Sequence, residues 1–167
     1  MNKLKFPFRS RLVLAICLGI AAPHGAHAQQ GSIELKNVAE IEVETKDGQG
    51  KIERKRQPVA KAIPGTEVFY TTTFKNVGNK PAGNIVINNP VPSNTTLVAG
   101  SVYGSNMEVT YSLDGKNFNA PDKLKVKDKD GKEVTATAAD YTAIRWAYKG
   151  DLAVGKVETA GFRSVIK

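Results

Sequence analysis

One cysteine, Cys17, and two histidines, His24 and His27, are all that this 167-residue chain holds of either type, and all three precede Gln29. From Gln29 onward there is no thiol nucleophile, no serine–histidine base and no imidazole ligand. Structural zinc and most copper sites draw on Cys, His or Met, and Met107 is the only methionine after Met1. A disulfide is excluded over the same stretch. These absences leave carboxylate chemistry, lysine chemistry or an oxygen-ligated cation. Aromatic residues are few, at 7% of the chain, which is poor material for the cleft of a two-carboxylate glycosidase. Its acids lie mainly in Glu34–Glu44 and at expected hairpin tips, and no cleft is legible around them. The apolar run Leu12–Ala22 is too short to span a bilayer stably.

That run sits in a recognisable order. Met1–Arg11 carries Lys3, Lys5, Arg9 and Arg11 and no acid, and Ala26-His27-Ala28 follows the apolar run. A basic lead, a short apolar segment and an A-x-A site predict a secretory signal peptide over 1–28, cleaved after Ala28. A membrane anchor is the alternative, and the length of the run argues against it. Ile16, rather than a small residue, precedes Cys17, which argues against a lipoprotein. The leader would remove four of the eight net positive charges, leaving +4. The basic balance therefore overstates any case for a nucleic-acid partner. Residues 29–167 suit one domain and suffice for one core.

In that remainder the periodicity is two. Val68, Tyr70, Thr72 and Phe74 alternate with Phe69, Thr71, Thr73 and Lys75, nearly all β-branched or aromatic. Asn76, Gly78 and Asn79 supply turn chemistry. Ile85 and Ile87 share a face, and Pro90 and Pro92 end that strand. A third run is expected around Leu97–Val102. Ser32–Thr45 reads as two strands or one bulged strand, because Asn37–Glu40 interrupts the apolar alternation of Ile33 and Leu35 with Ile41 and Val43. A helix there is disfavoured by its β-branched residues. Met107, Val109, Tyr111 and Leu113 alternate towards Asp114-Gly115, a tight hairpin signal leading to Phe118. Leu124 and Val126 run to a second such signal at Asp130-Gly131, from which Val134 and Ala136 return. Ile144, Trp146 and Tyr148 share one face, and Trp146 is expected as a core plug between two sheets rather than a ligand platform. Gly155 turns the chain into a last strand with Phe162, Ser164 and Ile166 on one face.

Several pieces come in a familiar order: Pro64-Gly65, Tyr70-Thr71-Thr72-Thr73-Phe74-Lys75-Asn76-Val77-Gly78, Asn89-Pro90-Val91-Pro92 and Leu97-Val98-Ala99-Gly100-Ser101. Together they resemble the prokaryotic conserved-repeat domain (domain of unknown function 11), whose members read P-G, Y-T-x-T-x-x-N-x-G, D-P-x-P and G-S. Trp146 and Gly150–Gly155 resemble its penultimate strand and the turn before its last one. The resemblance covers about residues 60–167. Asn89 stands where that family usually has Asp, Val154 where it usually has Pro, and one copy is present. The resemblance implies an immunoglobulin-like sandwich of the kind found in exported and surface proteins.

Two charged features remain. Lys51–Lys61 is the densest basic run, with Lys51, Arg54, Lys55, Arg56 and Lys61 against Glu53 alone. It can be read as contacts for a polyanion, with Lys51, Arg54, Lys55 and Arg56 as the candidate residues. It can equally be a solvated strand and loop, and the absence of interleaved aromatics favours that reading. Lys123, Lys125, Lys127, Lys129 and Lys132 crowd the second hairpin, where charge guards an edge. Asp128, Asp130 and Glu133 only partly match a calcium loop, because Val126 occupies a ligand position.

The expectation is an all-β, antiparallel, immunoglobulin-like β-sandwich with extra hairpins, exported to the periplasm or to the extracellular space or cell surface. It would be non-catalytic, with a structural or binding role towards an envelope or extracellular protein or polymer. No catalytic, cofactor or metal residue, no nucleic-acid partner and no membrane span after leader removal are expected. A polyanion-binding envelope protein and a small carboxylate-dependent hydrolase are the alternatives.

Overall fold

The computed structural model describes residues 32–61 and 63–167. The leader and its cleavage site, expected over 1–28, lie outside the described residues. The described chain is all-β and antiparallel. Its strands are β1 (Ile33–Lys46), β2 (Ile52–Pro58), β3 (Glu67–Asn76), β4 (Val86–Pro90), β5 (Thr95–Leu97) and β6 (Tyr103–Gly104). They continue with β7 (Met107–Ser112), β8 (Lys125–Lys127), β9 (Glu133–Thr135), β10 (Ala143–Tyr148) and β11 (Val157–Ile166). One sheet runs β2-β1-β3-β11-β5, with β6 also on β11; the other runs β4-β10-β7; β8 and β9 form a separate hairpin.

The two sheets close on one apolar core, because alternation sends every second side chain inward. β3 contributes Val68 and Phe74, β10 contributes Ile144 and Trp146, β11 contributes Ala160 and Phe162, and all six are essentially buried. Ile85 and Ile87 share the inward face, as their spacing predicts. Trp146 is the core plug that its strand pattern predicts. Its sheet neighbours are Ile87 and Val109, and its partner across the core is Phe162, with ring centroids 6.3 Å apart. Its Nε1–H donates to the Tyr103 carbonyl at 3.0 Å, so the polar end of the indole is satisfied inside the core. Gly104 makes that approach possible, since a Cβ there would meet the indole edge at 3.1 Å.

Asn76 shows why an Asn closes β3. It is fully buried. Its Nδ2 donates to the carbonyls of Lys80 and Leu152, both at 2.8 Å, and its Oδ1 accepts the Gly78 N–H at 2.9 Å. One amide thus ties the β3–β4 connection to the turn before β11.

Three local expectations need correction. β1 is one unbroken strand, paired with β3 from Ile33↔Asn76 to Ile41↔Val68 without a bulge. The alternation never breaks: Asn37 occupies an inward position, where its Oδ1 accepts the hydroxyl of buried Thr72 at 2.6 Å. A polar residue facing inward hid the period. Next, the run expected at Leu97–Val102 is a connection rather than a strand: β5 ends at Leu97 and β6 begins at Tyr103. Gly100 takes φ 69° between them, and the Ser101 hydroxyl substitutes for ladder bonds, donating to Val98 O at 2.7 Å and accepting from Arg163 N at 3.0 Å. Finally, Asp114-Gly115 sits in a wide loop, because Tyr111 bridges Asn119 across Ser112–Phe118. The Asp114 carboxylate organises that loop. It accepts the Lys116 and Asn117 N–H groups at 2.8 Å each, and these bonds hold its acidity well below the usual carboxylate range.

Candidate functional site

The basic run forms β2, and pairing with β1 decides what its cations can do. Arg54 lies opposite Glu44 and Arg56 opposite Glu42. The Arg54 Nε is 3.2 Å from Glu44 and 3.8 Å from Glu42. Lys55 reaches Glu53 at 3.2 Å, and the Arg56 guanidinium lies 4.0 Å over the Phe69 ring. Lys51 closes the β1–β2 turn, its N–H donating to Asp47 Oδ1 at 2.8 Å. Arg54 and Arg56 share one face by strand alternation, and Lys55 points to the other. The four candidate cations therefore do not converge, and carboxylates of the same ribbon neutralise two of them. Exposed pairs of this kind contribute little stability; they make the ribbon mixed in charge.

The more distinctive geometry is the other part of β1. β2 pairs with β1 only from Glu40 to Lys46, whereas β3 pairs with it from Ile33 to Ile41. Among the described residues, β1 from Ile33 to Val38 has a strand on one side only. The direction of its free backbone groups follows from two bonds. Val77 N–H donates to Ser32 O at 2.9 Å on the β3 side, and Val59 N–H donates to Ala39 O at 3.2 Å on the opposite side. Residues in an antiparallel pair alternate in the direction of their backbone groups. Glu34, Lys36 and Val38 thus bond β3, and Ile33, Leu35 and Asn37 aim their N–H and C=O groups outward.

β4 forms the facing wall. Among the described residues it pairs with β10 alone, so both described sheets end on this side of the sandwich. Between β1 and β4 lie two recesses in line. One, of about 250 Å³, is lined by Ile33 and Leu35 on β1 and by residues including Ile85 and Ile87 on the other wall. The second, of about 230 Å³, is lined by Asn37, Tyr70, Thr72, Asn89, Pro92 and Phe162, among others. Its floor is the Tyr70–Phe162 stack, with centroids 4.9 Å apart. Its polar element crosses between the sheets: Asn89 Nδ2 donates to Thr72 Oγ1 at 2.7 Å, and Thr72 donates to Asn37. Leu35 points towards this groove from an inner-face position and is still 55% exposed. An inward leucine stays exposed only where a covering strand is lacking.

Several other edges carry protecting residues. β2 carries Arg54, Lys55, Arg56 and Pro58, β4 ends at Pro90, and the β8–β9 hairpin carries Lys125 and Lys127. On the open stretch of β1 the charges are Glu34 and Lys36, of opposite sign.

Sequence reasoning did not single out Ile33, Leu35 and Asn37 as a site. The clean alternation of Ile33 and Leu35 was visible, but nothing local marks which strand will lie at an edge. Asn89 entered only as part of a Pro-rich corner and as the residue standing where the resembled family usually has Asp. Among the described residues, no group of three or more His, Cys, Asp or Glu side chains is placed to hold a metal ion. Asp128 instead closes the β8–β9 turn, its Oδ1 accepting from Asp130 N at 3.0 Å and Lys132 N at 2.9 Å. No helix among the described residues is long and apolar enough to cross a membrane. Comparison of the chain with protein-family models, with curated proteins and with solved structures matches none of them.

Proposed function

We propose that this chain is an exported, non-catalytic, immunoglobulin-like module of the cell envelope that binds a partner polypeptide by accepting an extended strand on the open edge of β1. The observation that carries the reading is the row of outward backbone groups at Ile33, Leu35 and Asn37, set beside the apolar recess between β1 and β4. Strand addition draws affinity from main-chain hydrogen bonds and specificity from pockets for alternate side chains. Both are available here. The A-x-A leader pattern and the resemblance to the conserved-repeat domain support the exported, immunoglobulin-like part. The lack of Cys and His after Ala28 supports a non-catalytic role. A polyanion role for the Lys51–Lys61 run is not adopted, because Arg54 and Lys55 are ion-paired within their own ribbon.

The test uses dilute processed protein and a lysine-flanked peptide of alternating valine and threonine. Amide exchange at Leu35 and Asn37 is expected to slow on peptide addition. Leu35→Lys, a change at an exposed position, is expected to remove that protection and leave the melting temperature unaltered. Peptide-induced protection confined to other strands would overturn the reading.

A further inference from the structure

We infer that the strand accepted on this edge is β1 of a second copy, paired about a two-fold axis at Leu35. The inference rests on the strand-accepting reading and names its partner. The chain's own upstream segment is a poor occupant: cleavage after Ala28 leaves Gln29–Gly31 ahead of Ser32, too few residues to turn back and cover Ile33–Asn37. A second copy brings a strand of the right length and an identical edge, which is what an isologous contact requires.

The register follows from backbone parity and charge. Only Ile33, Leu35 and Asn37 present outward groups, so a two-fold antiparallel pairing has to set odd residues against odd ones. Three central registers meet that condition. Centred on Glu34, the pairing sets Glu34 against the partner's Glu34; centred on Lys36, it sets Lys36 against the partner's Lys36. Like charges directly opposite are destabilising. Centred on Leu35, the pairing sets Glu34 against the partner's Lys36 and Lys36 against the partner's Glu34. It also sets Leu35 on Leu35 and Ile33 opposite Asn37, with every outward backbone group bonded.

The surroundings fit this register. Lys36 lies beside Thr73 in the sheet and Glu34 beside Lys75, and neither Glu34 nor Lys36 forms an ion pair among the described residues. The half-exposed Leu35 gains a cover from its counterpart. The partner's Ile33 arrives beside Asn37, at the recess floored by Tyr70 and Phe162, and supplies an apolar side chain to it.

Sedimentation equilibrium of the processed protein at low ionic strength tests this. A concentration-dependent dimer is expected. Glu34→Lys and Lys36→Glu each turn two attractive contacts into repulsive ones, so each is expected to weaken the dimer roughly tenfold or more. An equimolar mixture of the two variants restores unlike charges at both contacts and is expected to form a heterodimer as tight as the parent. That recovery also shows that both variants fold. A protein that stays monomeric at every concentration overturns the inference. So does a dimer indifferent to both charge reversals, or a mixture that fails to recover. The peptide assay, repeated on Glu34→Lys protein, separates the two levels. Protection of Leu35 by peptide in a protein that never dimerises discards the second copy and keeps strand acceptance. No protection, or a monomer whose Leu35 amide is already protected, discards both.

Discussion

Trp146 carries the largest single share of the core. It is fully buried, hydrogen-bonded to Tyr103 O and stacked towards Phe162. Trp146→Ala is expected to lower stability by about 3–5 kcal/mol, as large-to-small core changes do. That approaches the whole stability of a small domain. Denaturant titration followed by circular dichroism checks it, and since the chain has one Trp, blue-shifted, iodide-resistant emission of the parent is the companion readout. An unaltered titration would contradict the core assignment. The Tyr111–Tyr141 stack, with centroids 4.4 Å apart, gives a pH effect. Burial pushes the Tyr111 hydroxyl up, helped by Tyr141, and burial pushes Tyr141 up, helped by Asp140. A group whose folded pKa is raised contributes stability that is complete below its unfolded pKa and is lost as pH rises through the folded value. Stability is therefore expected to fall as pH climbs above about 10, the ordinary phenol value. Tyr111→Phe is expected to make that fall shallower. Alkaline melting curves of parent and variant measure it, and identical pH slopes would contradict it.

Among the elements, the β1–β2 ribbon stands apart. Among the described residues it has no third strand beyond Ile41, since β3 pairs no further, and most of its side chains from Glu42 to Pro58 are exposed. A two-stranded ribbon is marginal by itself. Its side-chain contacts are the Asp47 turn, Arg56 over Phe69 and the exposed Arg54 ion pairs, which add little stability. Amides from Val43 to Arg54 are expected to exchange by local opening, far faster than those of Phe74 or Phe162, which need global unfolding. Native-state hydrogen exchange decides this, and protection at Val43 equal to that at Phe74 would contradict it. Strand existence was legible here from the alternation of Ile41 and Val43. Strand partnership was not, because period two is the same at an edge, in a centre and in a projecting ribbon. The same limit explains Asn37. Its inward position shows only once Thr72 and Asn89 are placed around it.

For the molecule as a whole, the expected leader leads to a direct measurement: N-terminal sequencing of the exported form should begin at Gln29, and an intact Met1 in the envelope fraction would contradict cleavage. Thermal melting of that processed form is expected to be indifferent to chelators and thiol reductants, since no Cys or His follows Ala28. A loss of several degrees with chelator would point to Asp128 and Asp130. The sequence by itself determined the all-β class, the faces of β3, β10 and β11, the buried Trp146 and the turn at Asp130-Gly131. Each of these is a local consequence of side-chain period or turn chemistry. Only the tertiary structure decided that β1 is one strand, that the cations of β2 pair with carboxylates of β2 and β1, and that, among the described residues, Leu35 stands uncovered beside β4. Those facts depend on which strand ends each sheet, and an edge is defined by what is not beside it, which no stretch of sequence records.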